Sequence, residues 1–284
     1  MKREHVKSTR LFVRPKFTRQ QGRGKICFPC NFLAIKNKKE VNFVRVIMES
    51  LTKNRGFNLA ALTDFSKLDT PTKKHLKNVY SALAMSMFAA AAGGAIHMFT
   101  HFLKGGILSA LGGFGLLLLL RFTPNDGKNQ LKRFGYLMGF AFCTGLGLGP
   151  IMERVTQIDP SIVPTAFFLT SLIFVCFTLS ALWAEERSYL YLGGLLGSGM
   201  MILMVSSLIN IFMRSYVLYQ VHLYLGLVVF SAFILYDTQL IVEKFRHGDK
   251  DYVWQCVDLF IDFIAVFRRI MVILAQNKED KRKK

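Results

Sequence analysis

Long apolar runs separated by short polar connections dominate the chain from Val79 onward. Seven such segments can be drawn: Val79–Thr100, Gly105–Phe122, Phe134–Ile151, Ser161–Ala184, Ser188–Phe212, Tyr216–Val242 and Tyr252–Ala275. Each approaches the roughly 20 residues that a helix needs to cross a hydrocarbon core. Only a helix or a closed barrel satisfies its backbone there. A soluble helix would carry a charged stripe on its outer face, and most of these runs carry none. The pattern predicts an all-α integral membrane protein, a bundle of seven helices with short loops, spanning residues 79–275. Residues 48–78 read as a cytosolic amphipathic lead-in, with Thr70 as N-cap and Pro71 in the first turn of a helix that continues into the first apolar segment.

Small residues punctuate the runs: Gly93-Gly94, Gly112-Gly113-x-Gly115, Gly145-x-Gly147-x-Gly149 and Gly193-Gly194-x-x-Gly197-x-Gly199. Within a bilayer such positions let helix backbones approach closely. They sit in apolar sequence with no Lys-Ser/Thr beside them, which excludes a phosphate loop. Pro150, Pro160 and Pro164 are expected to bound segment ends.

Charge refines this picture. The net charge is +19, and residues 1–47 hold 13 Lys/Arg against 2 Asp/Glu. This basic arm has no spanning run and reads as an extension whose usual start would be Met48. Basic residues otherwise cluster between apolar runs, at Arg121, Lys128, Lys132 and Arg133, and at Lys244, Arg246 and Lys250. That distribution argues for the positive-inside signature rather than nucleic-acid binding, and it puts the N-terminus in the cytosol. The basic tail, residues 276–284, breaks the alternation. Seven full crossings place Lys278, Lys281, Arg282, Lys283 and Lys284 on the wrong side, so segment seven is expected to turn back or cross only part way. Of five cysteines, Cys143, Cys176 and Cys256 fall in apolar runs and read as small hydrophobes. Cys27 and Cys30 form a lone C-x-x-C without a second pair.

The candidate chemistry lies in the last two segments. Segment seven holds Asp258 and Asp262, at i and i+4 on one face, and segment six holds Asp237. A carboxylate in a spanning helix is costly unless it is protonated, paired or wetted. Two carboxyls close together in low dielectric cannot both ionise cheaply, so they titrate as a unit. With one shared proton they tie two helices together. Without it they repel, and they become hard oxygen ligands suited to Ca²⁺. A leak path needs such weak binding so that the ion leaves again. Asp262 and Asp237 are therefore the expected pore and pH-sensing pair, weak and transient calcium ligands, with Asp258 secondary. His97 and His101 at i, i+4, with His222 in segment six, are the alternative metal group, but no acidic residue stands beside the pair in sequence. No nucleophile motif of the G-x-S-x-G type is present, so no enzyme activity or cofactor is expected.

Several of these stretches resemble the Bax inhibitor family of membrane proteins. They are GFAFCTGLGLGP at 139–150, PSIVPTAF at 160–167, TLSALWAEERSYLYLGG at 178–194, LYDTQLIVEKFRHGDKDYVWQCVDLFIDFIAVFRRI at 235–270 and the basic tail. The resemblance covers roughly 48–284. It implies a central last helix enclosed by two three-helix layers, location in the endoplasmic reticulum, a pH-dependent Ca²⁺ leak and suppression of cell death. Partners implied are Bcl-family regulators and calcium-release receptors, besides membrane lipid. The family's aspartate pair carries over onto Asp237 and Asp262. Its latch arginine in segment two carries over onto Arg121. The other reading is a non-conducting scaffold for the same regulators.

Overall fold

The computed structural model describes residues 69–99, 106–184 and 189–282. Residues 1–68, with the Met48 start and the Cys27/Cys30 pair, lie outside them, as do His101, Glu185, Glu186, Arg187, Lys283 and Lys284. Among the described residues there are seven helices and no strands: α1 Thr70–Phe99, α2 Ile107–Phe122, α3 Gln130–Ile158, α4 Ile162–Trp183, α5 Leu192–Met213, α6 Tyr216–Arg246 and α7 Tyr252–Arg282. Most outrun the apolar segments, because a helix ends where its hydrogen-bond ladder is interrupted rather than where polarity begins. Helix α1 starts at Thr70 with Pro71 in its first turn, where the missing N–H costs nothing. Pro150 does not end segment three; it lies inside α3, which continues to Ile158.

Five helices (α1, α3, α4, α5 and α6) are long and apolar enough to cross a membrane. Helix α2 is apolar but has only 16 residues. Helix α7 has the length, 31 residues, but carries two aspartates, two arginines and a charged end. It is nonetheless the centre of the fold. Helices α1, α2 and α3 join through α3, α4, α5 and α6 join through α6, and α7 packs against α1, α3, α4 and α6. Its Cys256, Leu259, Phe260, Val266 and Met271 are fully buried, against Val79, Leu137, Ala141, Ala166 and Ile234. Phe260 meets the Phe140 ring at 5.7 Å, and Phe263 meets Phe174 at 5.6 Å. In lipid the gain comes from such close contact, since the acyl chains are as apolar as the side chains.

Both ends of α7 are pinned to α3. At the start, buried Arg133 donates to both carboxylate oxygens of Asp251, at 2.9 and 2.5 Å, while Asp251 Oδ1 accepts from the Trp254 amide and caps α7. At the far end, Lys278 Nζ stands 2.7 Å from Asp159 Oδ2, and Arg282 donates to the Ile158 carbonyl. Helices α3 and α7 thus run side by side in one direction, and the two ends of α7 lie at opposite ends of the bundle. The expectation that segment seven turns back is not met. Tyr252–Arg282 contains neither Gly nor Pro, so nothing breaks the helix.

Only some of the glycines serve close packing. A Cβ at Gly145 would lie 2.0 Å from the Ala90 carbonyl oxygen, and one at Gly93 would lie 2.2 Å from that of Phe142. Helices α1 and α3 therefore cross backbone on backbone. Gly115, Gly194 and Gly197, expected to do the same, face open space.

Two outcomes follow. Gly145→Ala overpacks the α1–α3 crossing and should cost about 1–3 kcal/mol, seen as a lower Tm in detergent, whereas Gly194→Ala should leave Tm unchanged. Lys278, with the Ser161 hydroxyl and amide, holds the Asp159 carboxyl well below the usual carboxylate range. A depressed carboxyl contributes above its unfolded pKa and loses that contribution as pH falls through the folded value. Hydrogen exchange at residues 276–282 should therefore stay slow from pH 7 to about 4 in the wild type and be fast throughout in Asp159→Asn. Loss of protection near pH 5–6 in the wild type would show that another contact holds the tail.

Candidate functional site

Asp262 sits on α7, about 16 Å along the axis from Asp251 and about 24 Å from Lys278 at 1.5 Å per residue. It is deep in the bundle and only 4% exposed. No hydrogen-bond partner reaches its Oδ2. The neighbour within hydrogen-bonding reach of its carboxyl is Asp237 of α6. The two acids expected to pair from sequence are thus together. An acceptor facing an acceptor holds only if a proton or a cation lies between them.

Asp258, one turn before Asp262, is part-exposed, and Lys244 Nζ of α6 stands 3.9 Å from its Oδ2. Asp258 faces the pair from the side of the α6–α7 turn, and Lys244 also acts on Asp237 across space. The site is a short file of three carboxylates leading from a wetted cation inward to a buried pair. Lys244, read from sequence as a loop charge, is the cation that meets Asp258. The next residues along α6 close the inner wall: Thr238 is fully buried and 3.4 Å from the Tyr80 hydroxyl of α1, and Gln239 accepts from the Tyr189 amide and donates to the Ala181 carbonyl. Near the start of α7, His75 Nε2 lies 2.6 Å from Gln255 Oε1, and its ring stacks on Phe245.

Arg121 does not reach the aspartates as a latch. It is exposed at the end of α2, with its guanidinium 5.7 Å over the Trp254 ring. The arginine that does form a buried pair is Arg133, 3% exposed, and its partner is Asp251. Sequence reasoning missed this because Arg133 reads as one of four loop cations. The available signal was the start DYVW after Gly248-Asp249-Lys250, an acidic cap before an apolar run.

His97 and His222 do not converge, and His101 lies outside the described residues. His97 is buried beside Gly149, with Nε2 3.8 Å from Glu153 Oε2, so an acidic residue does stand beside it, contrary to the sequence expectation. His222 lies elsewhere, 3.1 Å from the Ser206 hydroxyl between α5 and α6. Among the described residues no three His, Cys, Asp or Glu side chains gather as a metal cage. Cys143, Cys176 and Cys256 are free thiols, and Cys256 is buried 3.9 Å from the Ser86 hydroxyl.

The chain is similar to known proteins over most of its length. The family model described as "Inhibitor of apoptosis-promoting Bax1" matches residues 72–279. Bax inhibitor 1 of Bos taurus is 54% identical over 231 residues, covering 81% of this chain and 98% of the relative. The Homo sapiens protein is 54% identical over 230 residues, covering 81% and 97%. That of Drosophila melanogaster is 43% identical over 209 residues, covering 74% and 85%. A match of this extent makes this chain a member of the Bax inhibitor family.

Proposed function

We propose that the chain is a pH-sensitive calcium leak pathway of the endoplasmic-reticulum membrane, with its N-terminus in the cytosol, and that through this leak it suppresses apoptosis and bears on the unfolded-protein response. The observation that carries the reading is the Asp237–Asp262 pair, buried mid-bundle, with Asp262 Oδ2 lacking a donor. With one proton between the carboxyls, α6 and α7 are held together. With the proton gone, two like charges in low dielectric push the helices apart and offer oxygen ligands to Ca²⁺. Asp258 and Lys244 form the mouth of this path: Asp258 attracts the cation, and Lys244 competes for that carboxylate. Few ligands mean weak binding, which lets the ion move on. The pathway transfers an ion and carries out no catalytic step. The relatives are named for inhibition of Bax, and we extend that naming to Bcl-family regulators and calcium-release receptors as partners of this chain.

The test is Ca²⁺ flux into liposomes holding the purified full chain, measured against pH. Wild-type flux should rise as pH increases through the titration of the pair. Asp237→Asn and Asp262→Asn, which cannot lose that proton, should flatten the profile and lower the flux. Lys244→Gln should raise flux at a given pH without removing the profile. A pH profile unchanged in both Asn variants would take the pair out of the mechanism. Protection of cells by a chain that passes no ion in liposomes would favour the scaffold reading.

A further inference from the structure

A second feature lies on another face of α7. Helices α2, α3, α6 and α7 enclose a groove of about 570 Å³, within the range that small-molecule sites occupy. Its inner end is apolar, with Leu117, Phe140 and Phe260. Its outer wall includes Phe114 and Ile261, which are 58% and 42% exposed, so the groove opens sideways toward the bilayer rather than to water. The other end holds two guanidinium groups, Arg268 and Arg269, with the Ser109 hydroxyl across from them.

These arginines lie about 13 Å along the α7 axis from Lys278; Arg268 is exposed and Arg269 is part-buried. Arg269 donates to the Ala265 carbonyl at 3.0 Å and lies over the Phe230 ring at 4.4 Å, and its buried Nε has no partner. Gly226 of α6 makes room for it, since a Cβ there would lie 2.3 Å from that Nε. Among the described residues no carboxylate pairs with either arginine. Two adjacent cations on a bundle of apolar helices, with no carboxylate partner among the described residues, favour an anion from outside, and an apolar slot runs from them toward the bundle centre. A ligand that answers both features carries a negative head and an acyl chain.

We propose that this groove is a binding site for an acidic phospholipid, taken from the leaflet at the α3–α4 end of the bundle, with its phosphate on Arg268 and Arg269 and one acyl chain along Leu117, Phe140 and Phe260. A zwitterionic lipid is neutral overall, so it gains less from two adjacent arginines than a lipid with net negative charge. An acidic one leaves net negative charge for the guanidinium groups, whose planar donors suit phosphate oxygens. A soluble phosphate lacks the chain that fills the apolar slot. The site is separate from the aspartate file and independent of the calcium reading.

The test is native mass spectrometry of the purified full chain in mild detergent, offered equimolar phosphatidylserine and phosphatidylcholine. The expected result is retention of phosphatidylserine over phosphatidylcholine by about tenfold, lost in Arg268→Gln/Arg269→Gln and kept in Lys132→Gln, an exposed basic residue at the other end of the bundle. Gly147→Leu, at a groove position where the nearest atom to an added Cβ is the Ser109 hydroxyl oxygen at 4.0 Å, narrows the groove at its head-group end while keeping both arginines and should also lose the lipid. If the double variant does not fold, Gly147→Leu decides alone. Equal retention of the two lipids, wild-type retention by Gly147→Leu, or displacement of the lipid by inorganic phosphate alone would overturn the proposal.

Discussion

A helix that carries carboxylates, arginines and a charged end can stand inside a bilayer only when other helices cover it. That constraint on α7 organises the rest of the bundle. Its acids and amides turn toward α1, α3, α4 and α6, where donors and small side chains meet them, while α2 and α5 remain at the periphery and present large apolar side chains outward. The outer helices are more apolar than the inner one. This reverses the arrangement of a soluble protein, because here the surrounding medium is hydrocarbon.

The polar contacts of α7 fall into zones with different tasks. At both ends it is tied to α3, by Arg133–Asp251 at one and Lys278–Asp159 at the other. Between them lie the Asp237–Asp262 pair on the α6 side and the two arginines on the groove side. The end ties fix the height of α7 against α3. They leave the middle of the α6–α7 contact as the place where a change of charge alters packing with least hindrance from the ends. Asp262 and Arg269 lie about 10 Å apart along one helix and both meet α6, the acid at Asp237 and the arginine at Phe230 and Gly226.

The close crossing of α1 and α3 supplies the rigid side of this arrangement. Gly93 and Gly145 bring backbone against backbone, which leaves no slack for those helices to slide. On the other side, α5 is joined to α6 through the small cluster of Leu196, Leu203 and Val229.

Much was legible in the sequence. Seven helical segments, their membrane character and three acids set in the last two segments followed from apolar run length and local polarity, whereas the central last helix and the choice of Asp237 with Asp262 as the pair came from the resemblance to the Bax inhibitor family. Tertiary structure alone decided which cation meets which acid. Arg133, Lys244 and Arg121 read alike as loop charges, yet one is buried on Asp251, one stands at Asp258 and one lies over Trp254. It also decided which glycines touch a neighbour, that Pro150 falls within a helix, that Glu153 comes to His97, and that α7 passes from one end of the bundle to the other. The physical reason is common to all of these. Run length and local polarity are properties of consecutive residues, whereas an ion pair, a backbone crossing or a groove depends on which helix lies alongside, and that is set by packing between residues far apart in the chain.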